Sequence, residues 1–192
     1  MAQAKSGPAV VTPAAGPGGP YRVVVIGTGF SGLGMAIGLK KAGVHDFVIL
    51  EKADEVGGTW RENTYPGCAC DIMSLLYSYS FEPKSDWSRM FPEQGELLRY
   101  IKDVVDKYEL AQHIRFKAEV TATEYDDATG TWQVTVNGGE TVRGRALVAG
   151  MGPLHRPSIP APTCPVSPRS RGRRSTPPSG TTPTTWRASG SR

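Results

Sequence analysis

Residues Tyr21 to Gly43 read "YRVVVIGTGFSGLGMAIGLKKAG", and the fold is decided there. Val23, Val24, Val25 and Ile26 form an unbroken β-branched run, the pattern of a strand covered on both faces in a parallel sheet. Gly27, Gly29 and Gly32 follow at once. The next residues predict a helix that ends at Lys40 and Lys41, whose charges suit its negative pole, with Gly43 as the stop. "FVIL", Phe47 to Leu50, predicts a second short buried strand, and an acid, Glu51, comes directly after it. Strand, helix and strand within about 30 residues make a βαβ unit, and with it an α/β fold.

Each glycine in Gly27-x-Gly29-x-x-Gly32 has a job. Gly27 lets the chain turn tightly. Gly29 removes a side chain so that backbone N–H groups can approach a pyrophosphate. Gly32 lets helix and strand pack closely. The helix N-terminus adds its positive pole to the same spot. Glu51, 19 residues after Gly32, can accept hydrogen bonds from both ribose hydroxyls of an adenosine. A 2′-phosphate there would face a carboxylate, so this site is expected to reject NADP. The pattern serves NAD and FAD alike. "EKADEVGGTW" tilts the reading to FAD, because Gly57, Gly58, Thr59 and Trp60 open a long loop where a simple NAD fold would return to a βα rhythm. Such a loop can fold over an isoalloxazine ring. The competing reading makes Trp60 a plain core aromatic.

Outward from this unit, residues 52–92 show no period and are rich in Gly, Pro, Trp and Tyr, a length of loop that is uncommon unless functional. "PEQGELLRYIKDVVDKYEL", residues 92–110, carries Leu97, Leu98, Ile101, Val104, Val105 and Tyr108 on one helical face, a packing helix. Alternation then predicts strands over 114–117, 119–125, 131–136 and 141–149, with turns at 126–130 and at "NGG". The last strand runs into another glycine pair, Gly150 and Gly152. The expected architecture is a Rossmann-like three-layer α/β domain, a parallel sheet plus an antiparallel β meander.

The formal charge of +4 conceals an asymmetry. All 18 acids and 15 of the 22 Lys and Arg lie at or before residue 152, so that part carries −3. The seven arginines beyond it face no acid, which reads as a solvated stretch rather than a specific nucleic-acid surface. Cys68, Cys70 and Cys164 lack metal-binding or redox spacing, and the reading is two half-buried thiols in a reducing cytosol. His45, His113 and His155 show no triad or metal spacing and read as surface or loop residues, so no metal is expected. No apolar run is long enough to span a membrane. Residues 1–19 have no signal-like apolar core and read as a flexible leader, which makes a cytoplasmic location the expectation.

Four blocks in order, "GTGFSGLGMAIGLKKAG", "VILEKADEVGGTW", "NTYPGCACDIMSLLYSYSF" and "ALVAGMGPLHRPSIP", resemble the N-terminal half of class B flavin-dependent monooxygenases, of Baeyer–Villiger type above all. The resemblance spans residues 21–160 and sets a domain at 20–160. It implies FAD held by Gly27, Gly29, Phe30, Ser31, Gly32, Glu51, Lys52, Gly58, Thr59, Trp60, Asp71 and Tyr77, with Val120 reaching the adenine through its backbone and Gly150 and Gly152 beside the loop. It also implies a catalytic role for Asp71 near the nicotinamide and flavin rings. The activity implied is an NADPH- and O2-dependent oxidation of a ketone or heteroatom substrate through a peroxyflavin. Two alternatives stand beside it. One is another FAD- or NAD-dependent oxidoreductase, disfavoured in its disulfide-reductase form by the lack of C-x-x-C and C-x4-C. The other is a non-catalytic nucleotide-binding fragment with a basic tail.

The resemblance stops after Pro157 and Pro160, before the family's second nucleotide site. Of the 32 residues from Ala161 to Arg192, 27 are Pro, Ser, Thr, Arg or Gly. Back-translated two bases on, their codons permit Phe-Glu-Gly-Pro-Ala-Phe-His-Ser-Ala-Gln-Trp-Asp over 170–181, the F-x-G-x-x-x-H-x-x-x-W-D form of Baeyer–Villiger enzymes. The expectation is a disordered basic tail that is a frameshift remnant, and a chain that turns over NADPH slowly or not at all.

Overall fold

The computed structural model describes residues 19–153. The expected leader, the basic stretch with its frameshift reading, His155 and Cys164 lie outside the described residues.

The glycine-framed unit forms as read. β1 is Tyr21–Ile26, α1 is Phe30–Lys41 and β2 is Phe47–Leu50. A single-turn α2, Thr59–Glu62, follows, and then α3, Gln94–Lys107. β3 is Ile114–Arg115, β4 Val120–Asp126, β5 Thr131–Val136 and β6 Glu140–Ala149. The six strands make one sheet in the order β3-β2-β1-β6-β5-β4. β1 pairs in parallel with both β2 and β6, whereas β4, β5 and β6 pair antiparallel.

Period-two alternation along the parallel strands divides the core. Val25, Phe47, Ile49 and Ile114 face α1 and α3, meeting Leu33, Ala36 and Ile37 from one and Leu97, Ile101 and Val104 from the other. Val24, Val48 and Leu50 face the opposite way, onto Val134, Val136 and Val142 of the meander. Helices, parallel strands and meander are thus the three layers expected. β6 joins two of them. Its first half, from Glu140, pairs with β5, and its second half pairs with β1. The changeover is Gly144, which registers with Trp132 and Tyr21 at once. A Cβ there would stand 2.7 Å from Cγ2 of Val24, so only glycine lets the two layers close at this point.

Three sequence expectations need correction. The strand expected over 114–117 is two residues long, because the backbone turns left-handed at Lys117, φ 53°, before β4 begins. Cys68 and Cys70 are fully buried in the helix-side core, not half-buried. His113 is not a surface residue. It is half-buried and stacks on Phe47 at 4.1 Å, with Nδ1 3.4 Å from the Phe47 carbonyl oxygen. His45 is exposed, as read.

Candidate dinucleotide site

Where β1 ends, three glycine backbones touch. Gly27 has φ 93°, and a Cβ on it would meet the Gly150 oxygen at 3.0 Å. A Cβ on Gly32 would stand 1.9 Å from the Gly27 oxygen, and one on Gly150 2.9 Å from Gly32 Cα. This contact binds β1, α1 and the end of β6 into one corner. Gly29 differs. Its φ is −79°, and a Cβ would meet only Gly58 Cα, at an ordinary 3.8 Å. Gly58 sits opposite with φ 53°, and a Cβ on it would collide with Gly29 Cα at 2.9 Å. The loop after β2 therefore lies directly across the first glycine loop. The Gly57 N–H donates to the Thr28 oxygen and fixes that approach.

α1 begins at this corner with no capping side chain and no acid in its first turn. Its first N–H groups lack intrahelical acceptors, and the helix dipole adds positive potential. The arrangement suits an anion.

Glu51 sits beside it, 4 % exposed. Its Oε2 accepts from the Thr28 N–H at 3.0 Å and the Thr28 hydroxyl at 2.6 Å. Its Oε1 accepts from the Ala53 N–H at 3.0 Å, and Arg61 Nη2 lies 3.4 Å away. A buried carboxylate is costly unless paired and hydrogen-bonded, and here it is both. The lone pair facing Arg61 has the longest contact and is the one most readily shared with an incoming hydroxyl.

The far wall is aromatic. Trp60 Nε1 donates to Tyr77 Oη at 3.0 Å, the two rings meeting edge to face at 5.6 Å. Phe30 lies edge to face on Tyr77 at 5.1 Å. Burial raises the Tyr77 phenol pKa against the lowering effect of the Trp60 donor, with smaller raising contributions from Cys70 and Asp71. Behind these rings Tyr79 donates to the Phe30 oxygen at 2.6 Å, and burial first of all raises its pKa far above the ordinary phenol value.

Together these groups enclose a cavity of about 440 Å3. Thirteen of the sequence-selected residues line it: Gly27, Gly29, Phe30, Ser31, Glu51, Lys52, Gly58, Thr59, Trp60, Tyr77, Val120, Gly150 and Gly152. Gly32 stands beneath the floor as a packing residue. Asp71 is not part of the lining. It is exposed, though close enough for its charge to act on Tyr77. The sequence reading missed Thr28, Arg61, Ala118 and Glu119, which also line the cavity. For Thr28 the one signal that could have found it is its place between the first two glycines. No group of three or more His, Cys, Asp or Glu that could hold a metal ion occurs among the described residues.

A family profile described as "NAD(P)-binding Rossmann-like domain" matches residues 25–93. A Baeyer–Villiger monooxygenase of Streptomyces coelicolor is 46 % identical over 143 residues, covering 72 % of this chain and 27 % of that protein. Over this stretch the chain is similar to part of a Baeyer–Villiger monooxygenase. Solved structures agree with that placement. Oxidized steroid monooxygenase bound to NADP superposes with a TM-score of 0.69 at 37 % identity, over 74 % of this chain and 28 % of that one. A crystal structure of OTEMO in complex with FAD and NADP gives 0.68 at 36 %, over 73 % and 27 %. The chain spans about a quarter of the length of these relatives. Within that quarter lie the whole glycine corner, its acid and its aromatic wall. No helix among the described residues is long and apolar enough to cross a membrane.

Proposed function

We propose that the domain binds FAD, as the flavin-holding part of an NADPH- and O2-dependent monooxygenase of Baeyer–Villiger type. One observation carries the reading: the close, side-chain-free approach of Gly29 and Gly58, an uncapped helix start, a buried carboxylate and a Trp–Tyr wall all border one cavity. The diphosphate lies over Gly29 and the start of α1. Glu51 takes the ribose hydroxyls, Val120 and its neighbours meet the adenine, and Trp60 and Tyr77 back the ring system with Lys52, Thr59 and Ser31 at the edges. The bound flavin supplies two-electron redox chemistry and reaction with O2. The chain's own part is to orient it and to keep its diphosphate away from water. Asp71 acts from beyond Tyr77, toward the nicotinamide of NADPH. A ketone or a heteroatom compound is the substrate class, the domain boundary lies near residue 160, and the location is cytoplasmic.

Gly29→Ala gives the cleanest test. Its Cβ meets nothing closer than 3.8 Å, so the fold accepts it, while the methyl group stands where the diphosphate belongs. Chain refolded with FAD and desalted is expected to be yellow, and the variant colourless with an unchanged melting temperature. A variant that keeps its flavin overturns the placement. Colourless wild type that binds NAD favours the second reading, a nucleotide fold without flavin, which the profile's NAD(P) description supports. NADPH oxidation with and without a ketone then tests for turnover.

A further inference from the structure

The adenosine end of the cavity is walled by Ala118, Glu119 and Val120. This wall belongs to no long regular element. β3 has ended at Arg115, Lys117 is left-handed, and β4 starts at Val120 with a bulge before Ala122. Such a segment needs outside partners to hold its shape. On the side of β2 it has two, since the Lys117 N–H donates to the Ala53 oxygen at 2.8 Å and the Ala118 N–H to the Glu51 oxygen at 2.9 Å. On the other side Asn137 is such a partner. Asn137, in the turn between β5 and β6, donates its Nδ2 to the Lys117 oxygen at 3.0 Å. Its Oδ1 accepts from the Glu119 N–H at 3.0 Å, and its own N–H donates to the Glu119 oxygen at 2.8 Å. Asn137 has φ 51°, a conformation that asparagine tolerates better than most residues.

The geometry points to Asn137 as a positioning residue for adenine recognition: its amide brackets Lys117 to Glu119 and thereby sets the backbone edge that reads the base. The inference rests on the FAD reading above. A backbone edge presents fixed donors and acceptors. Adenine offers a donor amino group beside an acceptor ring nitrogen, and hypoxanthine inverts both. A rigid edge therefore separates the two bases, and a loosened one does not.

The experiment titrates the 192-residue chain with ADP and with inosine diphosphate by calorimetry, in wild type, Asn137→Ala, Asn137→Asp and Asn137→Gly. Wild type is expected to favour ADP by about tenfold, the loss and mismatch of one or two hydrogen bonds. Asn137→Ala is expected to weaken ADP by about tenfold and inosine diphosphate by less than threefold, so that the preference collapses. Asn137→Asp keeps the acceptor for Glu119 but loses the donor to Lys117, and falls between. Asn137→Gly keeps the left-handed backbone without the bracket, so it separates the amide's role from backbone strain and is expected to behave as Asn137→Ala does. A wall that is merely destabilised loses both ligands in proportion. An unchanged ADP preference in folded Asn137→Ala and Asn137→Gly overturns the inference and leaves the FAD reading standing. No ADP binding by wild type overturns both.

Discussion

Glu51 shows how much of this site depends on single residues. Its spacing from the glycines marked it in the sequence, but its working surroundings are two hydrogen bonds from Thr28, one from Ala53 and the Arg61 guanidinium. A spacing rule finds the acid and not the groups that orient it, because those come from three different turns of chain. The same limit explains His113. Its sequence neighbours gave no hint of burial, which depends on Phe47, 66 positions away. Burial lowers its pKa first of all, the Phe47 carbonyl opposes this, and Lys40 and His45 lower it a little further. The unfolded ring, near 6.5, therefore takes up a proton before the folded ring does as pH falls. Its contribution to stability is full above about pH 6.5 and is lost as pH drops from there toward the folded value. Urea midpoints are expected to fall between about pH 7 and pH 5.5. His113→Phe, which keeps the stack on Phe47, is expected to remove that component of the fall. An identical pH profile in the variant refutes the assignment.

At the scale of elements, β6 is where two kinds of pairing meet. Ten residues serve an antiparallel meander at one end and a parallel sheet at the other, with Gly144 between. Gly144→Ala drives a methyl group into Val24, a fully buried side chain, and overpacking of this kind costs about 1–3 kcal/mol. Val24→Ala opens space for that methyl group. The pair is expected to be less destabilised than the two single variants added together, by about 1 kcal/mol in urea unfolding. Strict additivity would mean that the methyl group strains the backbone and not Val24. The long strands and the two long helices were legible from local signals: β-branched runs in β1 and β2, one apolar face in α3, and for α1 the glycine loop before it and Lys40, Lys41 and Gly43 at its end. The loop over 52–92 was not. α2 is a single turn, and the rest is held by distant partners, Tyr79 on Phe30, the Cys70 N–H on Pro92 and the Ser74 N–H on Met90. Contacts of that range leave no local pattern to read. The changeover at Gly144 was hidden as well, since nothing in the local sequence marks where β6 exchanges one partner strand for the other.

Across the whole described unit, the groups placed to grip a ligand are not evenly distributed. On the proposed reading, the glycine corner, the start of α1, Glu51 and the Ala118–Val120 wall all serve a diphosphate and an adenosine. Only Trp60, Tyr77 and the residues around them face the other end. This asymmetry predicts which part of FAD carries affinity. A ligand that binds only the folded state stabilises it by mass action, about 2.7 kcal/mol at a hundredfold excess over Kd. For a unit of this size, FAD at that excess is expected to raise the melting temperature by about 10 °C. ADP at its own hundredfold excess is expected to do the same, because it fills the half that the chain holds tightly. FMN, which keeps the flavin and one phosphate but lacks the adenosine, is expected to shift the midpoint by less than about 2 °C at the FAD concentration. The scan is read by the ranking of the three ligands, which a general effect of anions on the fold would not reproduce. An FMN shift equal to that of FAD would move the affinity to the Trp60 end and make the glycine corner a packing device alone.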